Sequence, residues 1–219
     1  MKKTFLNVFM IAGIAMATVG CKNDTTSEEA KEVATANEEA MEYAVDTAAS
    51  VIEWEGKKPT GTHTGTIQLK NGTFKANDSI IESGTFVISM ASIIVTDLEG
   101  DDKNNLENHL KGTVEGQEGD FFNVNQFPEA TFEVTGINLV NGQTMLQGNL
   151  TMKEVTKNIE FPVTINQTED AIELTSESFK IDRTQWNVNY GSKSIFEGLG
   201  DKFINDDIVL KLNVKAKKA

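Results

Sequence analysis

The chain has 219 residues, of which 39% are hydrophobic and 24% are charged, enough for one globular domain with its own apolar core. Its 33 acidic residues outnumber its 20 lysines and arginines, so the formal net charge is −13 at pH 7, which repels phosphate backbones and argues against nucleic acid as a partner. The single cysteine excludes an internal disulfide, so the fold must be held together by packing.

Residues 1–20 have the pattern of an export signal. Lys2 and Lys3 precede an apolar run over residues 5–19, which is too short and too rich in Gly and Ala to be a good membrane-spanning helix. The run ends in small residues, as signal peptides do at their cleavage site. We therefore predict a protein exported by a bacterium and exclude this leader from the reasoning about the fold.

Cys21 directly follows Thr18, Val19 and Gly20, a sequence like the processing box of bacterial lipoproteins, although Thr18 stands where Leu is usual. We predict that Cys21 is acylated and anchors the protein to a membrane, on the periplasmic side or at the outer membrane. The alternative is a conventional secretory signal that leaves a free thiol at Cys21.

Residues 21–43 have no apolar stripe and consist mainly of Ala, Glu, Thr and Asn. Ala and Glu favour helices, but this stretch has too little apolar surface to bury. It is predicted to be a largely disordered tether between Cys21 and a domain over residues 44–219.

The domain has the alternation of apolar and polar residues that is typical of short β-strands. The clearest examples are residues 84–95, 159–165 and 208–214, together with the group Trp186, Val188 and Tyr190. Asn71–Gly72 and Asn141–Gly142 have the residues favoured in tight hairpin turns. Eight or more strands linked by hairpins predict an all-β fold, an antiparallel barrel, because an open sheet of this size would expose two edges.

One segment has the spacing of a helix. Leu106 and Leu110 lie four residues apart in a polar stretch. Asp101 is a candidate N-cap, and Gly112 is a candidate C-cap. We predict one short helical insertion over residues 101–111. Because glycines flank it, we also expect it to act as a movable gate of the barrel.

The residues that most often carry chemistry are isolated in this sequence. His63 lies in a predicted strand and His109 on the predicted helix without a second ligand at helical spacing, so we predict no metal site. No Ser, His and Asp arrangement has the context of a nucleophile elbow, and the glycine-rich stretches do not follow the strand-to-helix plan of phosphate-binding loops. We predict that the protein is not an enzyme and has no cofactor.

Three segments carry a resemblance to a known family. They are GDFFNVNQFPEATFEV at residues 119–134, NLTMKEVTKNIEFPV at residues 149–163 and DRTQWNVNYGS at residues 182–192. Together they resemble the YceI-like family of exported lipid-binding proteins, and the likeness covers residues 44–216. The resemblance implies a lipocalin-like barrel that binds a polyisoprenoid chain, such as a quinone tail, in an elongated apolar pore.

The candidate ligand contacts are apolar residues on the inward-facing phase of the predicted strands and in the aromatic group at residues 121–127. They are Trp54, Phe74, Phe86, Ile88, Phe122, Phe127, Phe132, Leu150, Phe161 and Trp186. Periodicity alone favours side chains that simply fill the barrel, since barrel interiors are normally close-packed. The resemblance implies instead that they line a tunnel for a lipid.

Two functional hypotheses remain. The first is a membrane-anchored protein that holds or shuttles an apolar isoprenoid lipid, quinone-like or polyprenoid, in the barrel interior. The second is a structural or interaction lipoprotein whose barrel is filled and whose outer surface contacts a protein partner. The identity of a protein partner and the formation of a homodimer stay open at this point.

Overall fold

The computed structural model describes residues 27–219, so the predicted leader and Cys21 lie outside the described residues. Within this range the chain forms eleven β-strands, one α-helix and two short 3₁₀ helices. In chain order the strands are β1 (Glu28–Glu29), β2 (Met41–Val45), β3 (Val51–Lys58), β4 (Gly61–Asn77), β5 (Ile80–Val95), β6 (Glu129–Val140), β7 (Gln143–Met152), β8 (Val155–Gln167), β9 (Ala171–Ser176), β10 (Phe179–Asp182) and β11 (Asp207–Lys218). The α-helix, α1, spans Gly100–Lys111, and the 3₁₀ helices span Arg183–Trp186 and Gly200–Lys202.

The strands form one antiparallel sheet that closes on itself. Strands β4 to β8 pair in sequence order, as expected for strands joined mainly by short turns. Strand β9 joins β8 to β11, and β3 joins β11 back to β4. Strand β2 shares the ring position of β3, and β10 shares that of β9. The predicted antiparallel barrel is confirmed, and at about eight ring positions its interior can hold side chains or one small ligand.

One end of the barrel is packed solid. Tyr43, Ile81 and Ile172 are fully buried near the turns that join β4 to β5 and β8 to β9. The side-chain amide of Gln167 donates a hydrogen bond of 3.1 Å to the hydroxyl of Tyr43 at this end. The helix and the longer loops lie at the opposite end. A ligand that enters the barrel must therefore do so from that end.

Residues 28–40, which we call the strap, cross the outer face of the barrel from β8 to β5. The strap begins with β1, which pairs with the N-terminal part of β8. Further along, the N–H of Ala34 donates to the carbonyl of Val134 on β6 at 2.9 Å. The N–H of Asn37 donates to the carboxylate of Glu82 on β5 at 2.7 Å. The strap then leads into β2.

Two buried asparagines on the outer face explain why the strap lies against the barrel. The side chain of Asn149 accepts from the N–H of Lys31 at 3.0 Å and donates to the carbonyl of Lys31 at 2.7 Å. Asn158 donates to Asn149 at 3.1 Å, so both buried amides have partners. The described part of the predicted tether, residues 27–43, therefore differs from the expected disordered spacer. Hydrogen bonds hold this segment against the barrel, although it buries little apolar surface.

The helix lies close to its predicted position and has the predicted C-cap. Gly112 adopts the left-handed conformation with φ 68°, and its N–H bonds to the last turn. The N-cap is Glu99 and not Asp101, which lies in the first turn. A hydrogen bond of 2.9 Å from the N–H of Val95 to the carboxylate of Glu107 fixes the helix to the end of β5. Across residues 27–219, no helix has the length and apolar character needed to cross a membrane.

The two predicted Asn-Gly turns have different outcomes. Asn141 and Gly142 form the turn between β6 and β7, with φ angles of 51° and 83°, as the sequence predicted. Asn71 and Gly72 instead lie within β4, next to a register shift, so the prediction of a turn there was wrong. A Cβ at position 72 would lie 2.9 Å from a methyl group of Val45 and 3.0 Å from the ring of Phe86, which explains why the strand has a glycine there.

Candidate ligand-binding cavity

The barrel encloses a cavity of about 450 Å³, which falls in the range of roughly 300–1,000 Å³ that is typical of ligand pockets. The solvent-exposed residues of its lining all lie at the end of the barrel that carries α1, and we call this end the mouth. These exposed residues are Lys57, Lys58, Tyr190, Lys202 and Asp207. The interior is therefore not filled by side chains, in contrast to what periodicity alone favoured.

Seven of the ten candidate residues line this cavity. They are Trp54, Phe86, Ile88, Phe122, Phe132, Leu150 and Phe161. Six of them lie on strands β3, β5, β6, β7 and β8, where alternation correctly identified the inward face. Their contact with a ligand stays a prediction.

The other three candidates do not line the cavity. Phe74 is buried in the packed end, where its ring stacks on Tyr43 with centroids 5.6 Å apart. Phe127 is half-buried outside the core, because a turn begins at Asn123, whose φ is 47° and whose carbonyl accepts from the N–H of Phe127. Trp186 is fully buried and donates from its indole nitrogen to the carbonyl of Leu150 at 3.0 Å.

The strand predicted from Trp186, Val188 and Tyr190 was wrong. Trp186 ends a 3₁₀ helix that begins at Arg183, and the chain then continues as a loop. The carboxylate of Asp182 accepts a hydrogen bond of 2.9 Å from the N–H of Thr184 and so caps this helix. The capped turn ends the β10 strand pairing before the alternating residues begin.

Aromatic rings follow one another along the wall of the cavity. The ring centroid of Phe132 lies 6.3 Å from that of Phe86 and 5.6 Å from that of Phe161. Phe161 in turn stacks on Phe179 at 4.4 Å with an interplanar angle of 7°. Such offset and stacked pairs stabilise one another, so the rings form a rigid apolar wall.

Two glycines make room for the largest rings of the wall. A Cβ on Gly148 of β7 would lie 2.1 Å from the ring of Phe132. A Cβ on Gly65 of β4 would lie 2.4 Å from the ring of Trp54. Each ring therefore lies flat against a neighbouring strand, which keeps the centre of the barrel open.

Residues 100–124, which we call the cover, close part of the mouth. The segment after α1 returns along the helix, with hydrogen bonds from the N–H of Phe122 to the carbonyl of Leu110 at 3.1 Å and from the N–H of Val124 to the carbonyl of Lys111 at 2.8 Å. Leu106, His109, Leu110, Phe121 and Phe122 of the cover line the cavity. The sequence reasoning identified only Phe122 among them, although the spacing of Leu106 and Leu110 had marked an apolar face.

Both histidines lie at the mouth, each beside an aspartate. Nε2 of His109 is 2.8 Å from Oδ2 of Asp120, so this contact links the helix to the returning segment of the cover. Nδ1 of His63 is 2.8 Å from Oδ2 of Asp97. Partial burial raises the pKa of Asp97, but the hydrogen bond from the N–H of Thr64 and the contact with His63 outweigh it, and the net effect lowers the pKa.

A half-buried lysine and a buried arginine hold the loops of the mouth in place. The amine of Lys153 donates to the carbonyls of Phe121 at 2.7 Å and Asn187 at 3.1 Å, and burial lowers the pKa of Lys153. The guanidinium of Arg183 donates to three backbone carbonyls and lies 3.8 Å from the carboxylate of Asp206. Burial lowers the pKa of Arg183, and Asp206 opposes that shift. Both side chains donate to backbone carbonyls of the loops, so we infer that they stabilise the mouth.

No cluster of three or more His, Cys, Asp or Glu side chains that could hold a metal ion occurs within residues 27–219. Each histidine has a single aspartate neighbour. Most residues that line the cavity are apolar, so the chemistry that it offers is the burial of apolar surface.

The cover is expected to open more readily than the barrel wall, as a gate requires. No residue of α1 is fully buried, whereas residues 86–90 lie in the central part of β5 between β4 and β6. Few buried contacts make local opening easier. In hydrogen exchange measured by mass spectrometry, the amides of α1 should exchange faster than those of residues 86–90. Equal protection of the two segments would show that the cover is a fixed part of the wall.

The fold and cavity define a closed antiparallel barrel with an apolar interior that opens at one end, the general plan of lipocalin-like proteins. The model of the YceI-like domain matches residues 43–216, and the chain belongs to this family. No curated protein matched the chain.

Two solved structures have a similar fold. The crystal structure of Burkholderia cenocepacia BcnA is 21% identical, with a TM-score of 0.57 over 78% of this chain and 98% of that chain. The structure of a polyisoprenoid binding domain from Saccharophagus degradans, implicated in plant cell wall breakdown, is 11% identical, with a TM-score of 0.57 over 82% of this chain and 99% of that chain. At these identities the likeness shows the fold alone.

Proposed function

We propose that the protein is a binding protein that holds the apolar chain of an isoprenoid lipid, quinone-like or polyprenoid, inside its barrel. The observation that carries this proposal is the cavity of about 450 Å³ lined by aromatic and aliphatic side chains. The similar domain from Saccharophagus degradans is described as polyisoprenoid binding, which supports the same class of ligand here. We propose no enzymatic activity.

The distribution of polar groups in the cavity lining supports binding of a lipid whose apolar tail enters first. Ile88, Phe132 and Phe161 form an apolar wall inside the barrel, and Lys57 and Lys202 line only the mouth. A buried polar group without a partner is costly, so the head group of a lipid is best placed where these amines and water can solvate it. The apolar tail then occupies the interior.

The energetics favour exchange with a membrane over permanent storage. Each methylene moved from water into the cavity contributes about 0.8 kcal/mol, so a multi-isoprene tail binds tightly relative to water. The bilayer interior is equally apolar, however, and transfer between bilayer and cavity is close to balanced. A protein that is kept beside a membrane can therefore both take up and release such a lipid.

Uptake of a fluorescent polyprenoid by the delipidated protein tests the proposed function. We expect saturable uptake that ends near one molecule per chain, because the described structure has one continuous cavity along the barrel interior. A polar fluorescent dye of similar size serves as the control and should not be taken up. Absence of polyprenoid uptake by folded protein would support an interaction lipoprotein without a ligand.

We further propose that acylated Cys21 anchors the protein at the periplasmic side or at the outer membrane. Cys21 lies outside the described residues, and the sequence reasons for the anchor are those given above. A single acyl chain binds membranes only marginally, so a stable anchor requires the multiple acylation typical of processed lipoproteins.

Cys21→Ser is expected to move the protein from the membrane fraction to the soluble fraction, because the chain has no other cysteine that could be acylated. The measurement is fractionation of cells with mass spectrometry of the N-terminus, which also reports whether the leader was cleaved. A variant that is cleaved at the leader and still sediments with membranes would contradict the anchor.

A further inference from the structure

The inward face of strand β4 becomes polar where the strand reaches the mouth. Leu69 and Ile67 line the cavity from this face, and His63, in the same alternating phase, lines it at the mouth. Gly56 of β3 pairs with His63, and a Cβ at Gly56 would have no heavy atom within 4 Å. The imidazole of His63 therefore lies beside open space, in the region where the head group of a bound lipid is expected.

Asp97 fixes one nitrogen of this imidazole. Its Oδ2 is 2.8 Å from Nδ1 of His63, and its Oδ1 accepts a hydrogen bond of 2.8 Å from the N–H of Thr64. Burial opposes ionisation of Asp97, but the hydrogen bonds from Thr64 and His63 outweigh it and lower the pKa of the carboxyl group. Because an ionised carboxylate can only accept hydrogen bonds, the proton of neutral His63 must be on Nδ1.

The other nitrogen of His63, Nε2, is then a hydrogen-bond acceptor. In neutral imidazole one nitrogen carries the proton and the other has a lone pair. Within residues 27–219, Nε2 of His63 has no hydrogen-bond partner and is not fully buried, so a ligand can reach it. An acceptor at the edge of an apolar cavity is complementary to a hydrogen-bond donor on the ligand.

The second histidine of the mouth is less available to a ligand. Nε2 of His109 lies 2.8 Å from Oδ2 of Asp120, and the ring centroids of Phe121 and Tyr190 lie 5.0 Å and 4.9 Å from that of His109. These contacts tie α1 to the neighbouring loops. In the part of the chain that the structure describes, no aromatic ring packs against His63 in this way. His63 is therefore better placed than His109 to bind a head group.

The chemistry around Nε2 of His63 favours a hydroxyl group. The neighbouring Asp97 carboxylate repels an anionic group, such as a phosphate, placed at this nitrogen. A quinone presents only carbonyl oxygens, which are acceptors like Nε2 itself. A hydroxyl group is uncharged and can donate its proton, so it suits this nitrogen.

We propose that Nε2 of His63 accepts a hydrogen bond from a hydroxyl group on the head of the bound isoprenoid. The cavity then selects a polyprenol or a quinol over an ether or a quinone with the same tail. The proposal rests on the proposed function and adds the chemistry of the head group. Asp97 acts as a positioning residue, because it determines which nitrogen of His63 is the acceptor.

Competition with the fluorescent polyprenoid measures this selection in the delipidated protein, at about pH 8, where histidine side chains are neutral. A polyprenol should displace the probe at a concentration about threefold to tenfold lower than its methyl ether does, the usual contribution of one hydrogen bond. A quinol, kept reduced under nitrogen, should have the same advantage over its quinone. An advantage in only one pair would support the proposal and assign the head group to that alcohol or that quinol.

Asp97→Asn tests whether the position of the proton on His63 matters. The amide oxygen must face the N–H of Thr64, so the NH₂ group faces Nδ1 of His63 and donates to it. The proton of His63 then moves to Nε2, which becomes a donor. We expect the advantage of the polyprenol over its ether to disappear and the quinone to bind more tightly than the quinol.

Asp46→Asn is the matched control for this substitution. Asp46 also accepts hydrogen bonds from a backbone N–H, that of Ala49, and from a cationic side chain, that of Lys217, but it does not line the cavity. Both competitor pairs should keep the differences that they have in the unsubstituted protein. A change in Asp97→Asn that also occurs in Asp46→Asn would contradict the role of Asp97.

His63→Phe removes the acceptor and keeps an aromatic ring. Both pairs should lose their differences, while the methyl ether and the quinone still bind; circular dichroism establishes that the variant is folded. Equal affinities within both pairs in the unsubstituted protein, or differences that persist in folded His63→Phe, would overturn the proposal. A prenyl phosphate that binds more tightly than the polyprenol would also overturn it. Failure of the probe and of every competitor to bind the unsubstituted protein would instead contradict the proposed function.

Discussion

Ile88→Asp is expected to abolish uptake of a polyisoprenoid while the barrel still forms. Ile88 lines the cavity from β5, opposite Leu69 on one neighbouring strand and Ala130 on the other. Both cross-strand partners are apolar, so a carboxylate there depends on water for solvation, and that water must be displaced when a lipid tail enters. Leaving such a group unsolvated costs several kcal/mol, which exceeds the gain from several methylenes.

Val87→Asp is the matched control for this prediction. Val87 is the preceding residue of the same strand, does not line the cavity, and lies between Asn71 and Thr131. Its replacement should leave polyprenoid uptake unchanged. Circular dichroism and thermal unfolding establish that both variants are folded. Uptake by folded Ile88→Asp at the unsubstituted level would show that the ligand does not pass Ile88.

Phe132→Ala is expected to destabilise the delipidated protein less than a buried phenylalanine normally would. In a close-packed core, Phe→Ala leaves a new cavity and costs about 3 to 5 kcal/mol. One side of the Phe132 ring already faces the open cavity, so the substitution widens a space that exists. We expect a loss of about 1 to 2 kcal/mol in the free energy of unfolding, the ordinary range for a single substitution.

Phe74→Ala provides the comparison within the same barrel. Phe74 lies in the packed end, stacked between Tyr43 and Phe86, and does not line the cavity. Its removal should cost about 3 to 5 kcal/mol, a large part of the stability of a typical domain. Urea unfolding of the two delipidated variants beside the unsubstituted protein measures the difference. Equal losses above about 4 kcal/mol would indicate that Phe132 is packed as tightly as Phe74.

The strands and the closure of the barrel were predictable because they depend on a local period. Alternation places every second residue on the same face, so the inward residues of β5 to β8 follow from the sequence. Closure follows from the cost of exposed edges in a sheet of this size. The same reasoning found Ile88, Phe132 and Phe161 without any knowledge of which strands are neighbours.

The failures occur where distant contacts override the local signal. Asn71 and Gly72 have the composition of a turn, yet both lie within β4, because they pair with Val87 and Phe86 of β5. Phe74 lies on the buried face of its strand, as alternation predicts, but it is too close to the packed end to reach the cavity. Nothing in the local sequence indicates how far along a barrel the open space extends.

The strap and the mouth illustrate the limits of composition. The strap has little apolar surface, which predicted disorder, but it is held by backbone pairing and by the side chain of Asn149, more than one hundred residues away. The rings of Phe121 and Tyr190 meet at the mouth, where Lys153 and Arg183 donate hydrogen bonds to backbone carbonyls of their loops. Such contacts depend on the three-dimensional arrangement and have no periodic signal.

Native mass spectrometry of the protein extracted in mild detergent tests the central claim most directly. The account predicts a species heavier than the chain by one apolar molecule, released on collisional activation and identified as an isoprenoid lipid by its fragmentation. The same extraction of Ile88→Asp should yield only the unliganded mass. Repeated recovery of the unliganded mass from the unsubstituted protein, with no polyprenoid uptake after delipidation, would contradict the account and favour an interaction lipoprotein.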